Sequence, residues 1–119
     1  MLVCDRIIRD ARTDRVSLID IVGEVSAPSF PVRMAPVSVY ARLTEAVGTY
    51  ALTLDVVRRH DLVVVATFDI GNLDATDPIE DSEILVHQVP VALPSAGFYD
   101  VRLWANKRFV HSVSFQALE

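Results

Sequence analysis

The sequence predicts an all-β fold, a single antiparallel β-sandwich of about eight strands spanning residues 1–119. Three observations carry that expectation. From Tyr99 the residues Tyr99, Val101, Leu103 and Ala105 share one parity while Asp100, Arg102 and Trp104 share the other, the period-2 pattern of a half-buried strand. The same alternation recurs in Val37, Val39, Ala41 and Leu43 and again in Tyr50, Leu52, Leu54 and Val56. The chain's 119 residues suit one domain with one core, able to bury about two-thirds of its unfolded surface.

The elements follow in order. Leu2–Ile8 and Val16–Val22 are apolar-rich runs joined by a short polar connection, residues 9–15, and read as a first hairpin. Arginines at 6, 9, 12 and 15 also have helical spacing, but the β-branched content after Val16 favours strands. Between Gly23 and Pro36, the prolines 28, 31 and 36 lack an amide donor and predict an extended segment crossing between sheets, with Phe30 plugging the end of the core. Two alternating strands follow, turning near Gly48. The charged turn Arg58-Arg59-His60-Asp61 then leads to a fifth strand, Leu62–Ile70, whose Val63-Val64-Val65 is apolar on both faces. Such a run is central in its sheet or covered by a partner.

Gly71–Glu83 is the longest polar stretch and reads as a loop. Within it Asp77-Pro78-Ile79-Glu80 has the helix-start grammar of an N-cap Asp, a first-position Pro and a third-position Glu, which predicts a single helical turn. Ile84–Val91 is a sixth major strand. A closing hairpin completes the chain, its arms meeting at Asn106-Lys107, where a two-residue turn would ordinarily carry Asn-Gly or Asp-Gly.

Composition excludes several functions. A formal charge of −5 gives no basic face with which to displace counterions from phosphates, so no nucleic-acid partner is expected. Of the 11 basic residues all but Lys107 are arginine, a bias of composition rather than of a site. Although 51% of residues are hydrophobic, the longest wholly apolar run is Leu62–Ala66, too short to span a bilayer. Asp5, Arg6, Arg9 and Asp10 interrupt any secretory signal, and the single Cys4 allows no internal disulfide. These features point to a cytoplasmic chain with no membrane partner. Cys4 itself reads as a small buried core thiol on the first strand.

The opening Leu2-Val3-Cys4-Asp5, the strand Ser17-Leu18-Ile19, the pair Phe30-Pro31, the strand Val39-Tyr40-Ala41-Arg42-Leu43 and the turn Gly97-Phe98-Tyr99 together resemble an uncharacterised family of short bacterial β-sandwich proteins, a domain of unknown function. The likeness spans nearly the whole chain and implies an immunoglobulin-like fold; it brings no activity, ligand or site residue with it. Gly97-Phe98-Tyr99 also resembles the tyrosine corner of immunoglobulin-like folds, a stabilising device.

No catalytic motif is present. Gly-x-Ser-x-Gly is absent, four glycines leave little material for a phosphate cradle, and His60, His87 and His111 have no paired spacing for a metal, so neither an enzyme nor a cofactor is expected. No Lys or Arg lies between Arg59 and Arg102, while acidic residues collect there; Asp69, Asp74 and Asp77 are weak candidates for a hard cation, although their spacing fits no calcium motif and a solvated loop is the stronger reading. Trp104 stands on the face opposite Leu103. If that face is solvated, an indole beside Tyr40 or Arg102 makes an interaction hot spot. The expected role is a non-catalytic protein-interaction or assembly module, with a homodimer favoured by apolar faces and unpaired edges. A structural subunit of a larger particle is the alternative, and a cation-binding or hydrolytic domain using residues 69–81 is a third.

Overall fold

A computed structural model describes the chain except for Pro78 and Glu80. Among the described residues there are eleven strands in three sheets and no helix. The all-β expectation holds, with a higher strand count than the eight anticipated. The extra strands are short: β3 (Glu24–Ser26), β4 (Val32–Arg33) and β9 (Ala92–Leu93) lie in segments whose prolines masked them as connections.

The N-terminal hairpin is β1 (Leu2–Arg9) and β2 (Val16–Ile21), as the pattern predicts. β1 also pairs with β5 (Val37–Leu43), and β5 with β8 (Ser82–Val89), giving a four-stranded sheet in the order β2-β1-β5-β8. The second sheet has the order β3-β11-β10-β6-β7, built from β6 (Gly48–Arg58), β7 (Val63–Ala75), β10 (Gly97–Ala105) and β11 (Arg108–Leu118). It is mixed, because β3 runs parallel to β11, and it curls as a half-barrel. β4 and β9 form a two-stranded patch.

One core lies between the two large sheets. Val3, Val39 and Ala41 enter it from one side, and Leu54, Val56, Tyr99, Val101, Leu103 and Phe115 from the other. Tyr99 is fully buried, stacks on Phe115 at 5.5 Å and donates its hydroxyl to Ser95 O at 2.6 Å. That bond ties the β10 entrance to the preceding loop, the role expected of a tyrosine corner. Phe30 packs, partly buried, against this core. Cys4 is fully buried and free; burial, followed by the neighbouring Asp5 charge, pushes its thiol above the ordinary range.

Three expectations need correction. β7 does not stop at Ile70 but runs on to Ala75, so Asp74 joins Asp69 on a strand rather than lying in a loop. Gly71, Asn72 and Asp74 have poor strand propensity, but Tyr50 pairs with Leu73, and Ile70 and Leu73 pack on the core, so tertiary context overrides composition. The Val63-Val64-Val65 run is not central: β7 is a sheet edge, with Val63 45% and Val64 48% exposed. Ser38, on the side of β5 expected to face outward, is nevertheless fully buried beside Cys4 of β1, and its hydroxyl accepts the Gln88 amide proton across an irregularity in the β5–β8 register. The helical turn expected over Asp77–Glu80 involves Pro78 and Glu80, outside the described residues.

The closing hairpin turns on Asn106 (φ 50°) and Lys107 (φ 65°), both in the left-handed region that a two-residue type I′ turn demands. Asn106 tolerates this and is fastened as well: its Oδ1 accepts the Ala51 amide at 2.8 Å and its Nδ2 donates to Thr49 O at 3.3 Å. Lys107 has no such compensation.

Candidate functional site

The outward face of the five-stranded sheet carries the densest set of polar and aromatic contacts. Alternation places Phe98, Asp100, Arg102 and Trp104 of β10 on it, because Tyr99, Val101, Leu103 and Ala105 of the same strand enter the core. β6 contributes Asp55, directly across from Arg102, and β11 contributes Phe109 across from Trp104 and Ser114 across from Asp100.

Asp55 is the centre. It is 8% exposed, and Arg102 clasps it with two charge-assisted bonds, Nε to Oδ1 and Nη2 to Oδ2, both at 2.7 Å. The Trp104 indole N–H donates to the same Oδ2 at 3.1 Å. The Arg102 guanidinium lies 5.0 Å from the Trp104 ring centroid, within cation–π range, and Phe109 meets the indole edge-on at 5.7 Å. The carboxylate holds the Arg102 guanidinium above its already high range. One carboxylate therefore fixes an arginine and a tryptophan in single rotamers.

A second group repeats the theme further along β10. Arg59 Nη2 donates to Asp100 Oδ1 at 2.8 Å, the Ser114 hydroxyl donates to that oxygen at 2.7 Å, and the guanidinium lies 5.0 Å from the Phe98 centroid. Asp100 is held below the usual carboxylate range by the Arg59 bond first and by Ser114 next. At the adjoining turn Arg58 binds Asp61 through Nε and Nη2 and lowers that carboxyl to about 2. Phe98 and Phe109, 47% and 55% exposed, stand at the two ends of this polar band.

Arg102 lies beside Trp104, as expected, but Tyr40 does not. It is on β5 of the other sheet, alternating with core residues Val39 and Ala41, so its ring leaves the core in the opposite direction. Its hydroxyl donates to Glu83 Oε2 at 2.8 Å; burial and then that carboxylate push the phenol above its ordinary range. Asp69, Asp74 and Asp77 are not brought together as a ligand set. Asp69 caps the Gly71 amide, Asp74 accepts the Thr49 hydroxyl, and Asp77 accepts the Ile79 amide. Among the described residues no group of three or more His, Cys, Asp or Glu could hold a metal ion.

Asp55, Phe109 and the Arg59–Phe98 pair escape sequence reasoning. Asp55 reads only as an outward residue on its strand, and nothing in the sequence says that β6 lies beside β10. The available signal was parity: Asp55 and Arg102 are charged residues of opposite sign on outward positions of two clean strands.

Apart from this face, a concavity of about 380 Å³ is lined by residues of β5, β10 and β11. Buried Ala41 and Leu103 form its floor, and Arg42 and His111 stand at its wall. Arg42 is engaged by Asp81 at 3.1 Å. His111 is exposed.

A protein-family model matches residues 1–118, described as a family of unknown function (DUF6941). No curated protein and no solved structure matches the chain.

Proposed function

The chain belongs to that family of unknown function over residues 1–118, and from its own geometry we propose that it is a non-catalytic interaction module whose outward five-stranded face, centred on Trp104, Arg102 and Phe109, receives a protein partner. One observation carries the reading: Asp55 holds Arg102 and Trp104 in place before any partner arrives. Aromatic and arginine side chains dominate binding hot spots, and fixing their rotamers in advance removes part of the entropy that association otherwise costs. The carboxylates and guanidinia of the face are committed to one another, which leaves ring faces and edges as the contact surface. The complementary surface is accordingly apolar or hydrogen-bonding rather than strongly charged, and the complex is insensitive to salt.

The same reading takes the fold as immunoglobulin-like. The order β1-β5-β8 corresponds to strands A, B and E of that fold, and β6-β10-β11 to C, F and G with β7 as an added strand beside C. Tyr99, two residues into β10, supports it further. β2 and the parallel β3 are additions to that plan. The free, buried Cys4 is consistent with a reducing cytoplasm, and the module needs no cofactor.

The test is capture of a partner by the wild-type chain and by the Phe109→Ser and Trp104→Phe variants. Phe109 is exposed and Trp104→Phe keeps a ring, so both variants fold. The reading requires that Phe109→Ser lose capture at an unchanged melting temperature; equal capture by all three removes this face from consideration.

A further inference from the structure

We propose that the β1–β2 hairpin is a hinged strap, bent at Asp5 and Asp20 back across the outer face of β5, which opens as a unit and so gates access to Cys4. It belongs to the sheet opposite Trp104, and the inference is independent of the aromatic face.

The doubling back follows from the register. β1 pairs with β5 through Leu2–Tyr40, Val3–Val39 and Cys4–Ser38, and β5 pairs with β8 through Arg42–Glu83. A straight β1 would carry Arg9 five residues beyond Cys4, whereas Glu83 lies at the level of Arg42, four residues from Ser38 in the other direction. At about 3.3 Å per residue the two would stand about 30 Å apart along the strands. Arg9 Nη2 nevertheless donates to Glu83 Oε1 at 3.5 Å, and β1 approaches β8 although β5 lies between them in the sheet. The outer arm of the hairpin therefore folds back over β5 on the side away from the core, where the Tyr40 hydroxyl also reaches Glu83. The bend is placed by the β1–β2 ladder, which gives partners to Cys4 and Arg6 and none to Asp5; Asp20, which would face it, takes φ 54°. Two carboxylates meet at that interruption, and like charge weakens the pairing.

This path accounts for a burial that strand parity alone does not. Cys4 and Ser38 are paired on the side of their sheet away from the core, yet both are fully buried, and the thiol lies 3.5 Å from Arg6 O, just past the bend. The strap that covers them is lightly held. Beyond the bend Ile7 is its one buried residue, residues 11–15 are all exposed, and its far end rests on the Arg9–Glu83 pair, whose side chains are 37% and 30% exposed. Exposed ion pairs hold weakly, and segments with few buried apolar contacts open locally before the whole domain unfolds. Burial keeps the closed thiol protonated and unreactive; opening brings it to solvent.

The experiment is labelling of Cys4, the chain's one thiol, by dithiobis(nitrobenzoate) at mildly alkaline pH across sub-denaturing urea, on wild type and on Glu83→Gln. The thiolate attacks the reagent's disulfide, forms a mixed disulfide and releases thionitrobenzoate, which absorbance records. Glu83→Gln keeps an acceptor for Tyr40 and removes the charge that Arg9 meets. Wild type should label with a urea dependence much shallower than that of global unfolding, and Glu83→Gln should label about two- to fivefold faster with the same shallow dependence. High salt should raise the wild-type rate toward that of the variant. Labelling that tracks global unfolding, or a rate that Glu83→Gln leaves unchanged, overturns the proposal. Should Glu83→Gln misfold, amide exchange of the wild-type chain decides: hairpin amides exchanging together ahead of those of β10 and β11 support the strap, and exchange at one common rate removes it. Opening of the strap leaves partner capture by the aromatic face unaffected, so the two readings fail separately.

Discussion

Removing either half of the Asp55–Arg102 pair should destabilise the fold, but unequally, and the structure sets the order. In Arg102→Ala the Asp55 carboxylate keeps only the Trp104 N–H, with its side chain 12% exposed. Hydrogen bonds to charged groups contribute about 1.5–3 kcal/mol each, and an orphaned buried charge bears its full desolvation penalty. Two such bonds and the cation–π contact are lost, which gives a destabilisation of about 4 kcal/mol. In Asp55→Ala the guanidinium, 28% exposed, can turn toward water, and the loss is smaller, about 3 kcal/mol. The double variant leaves no unpaired charge and should cost about as much as Arg102→Ala alone, a coupling of about 3 kcal/mol. At about 4 °C per kcal/mol for a domain of this size, the single variants melt about 12 and 16 °C below wild type. Calorimetry on the four proteins of the cycle is the assay. Additive losses, or Asp55→Ala melting below Arg102→Ala, would refute the view that Asp55 is the buried, dependent partner.

Lys107→Gly should raise stability by about 1 kcal/mol by relieving a left-handed non-glycine residue, measured by urea denaturation, whereas Asn106→Gly should lower it because two hydrogen bonds to β6 go with the side chain. Tyr99→Phe should cost about 1–2 kcal/mol, since the Ser95 carbonyl loses its 2.6 Å donor in a buried setting; an unchanged denaturation midpoint would remove the tyrosine-corner role. Acid should act late. Asp61 and Asp100 are depressed in the fold, so their contributions are complete above the ordinary 3.8 and vanish as pH falls through the folded values, about 2 for Asp61; Arg58→Gln should shift the acid-unfolding midpoint upward. The raised Tyr40 phenol has the opposite sign: its contribution is complete below 10 and is lost as pH rises through the higher folded value, so a wild-type alkaline transition retained in Tyr40→Phe would contradict it.

Sequence periodicity identifies elements that bury one face. Tyr99–Ala105 alternates cleanly because β10 is central, with a core on one side and side chains of moderate polarity on the other, and its inward residues are as expected. The signal fails where a strand breaks period. The bulges at Val65 and Ile70 shift parity within β7, so a 13-residue strand reads as a short apolar strand followed by a polar loop. Proline hides β3 and β4 for a different reason: a two- or three-residue strand has no period to detect. For the site, Trp104 and Arg102 were visible because they share a strand and a parity. Asp55, which organises them, was not, because its role depends on β6 and β10 being neighbours, a fact of long-range pairing. Tyr40 was grouped with Trp104 for the same lack, and the two sheets carry them to opposite sides.

The most direct test of the central claim places a photo-crosslinking residue at Ser112, across from Arg102 on the five-stranded face, and separately at exposed Ser17 on the other sheet. Irradiation in cells should give a discrete heavier adduct from the Ser112 position that disappears when Phe109→Ser is added, and none from Ser17. An adduct from Ser17 alone, or one from Ser112 that Phe109→Ser leaves unchanged, would contradict the assignment of this face as the binding surface.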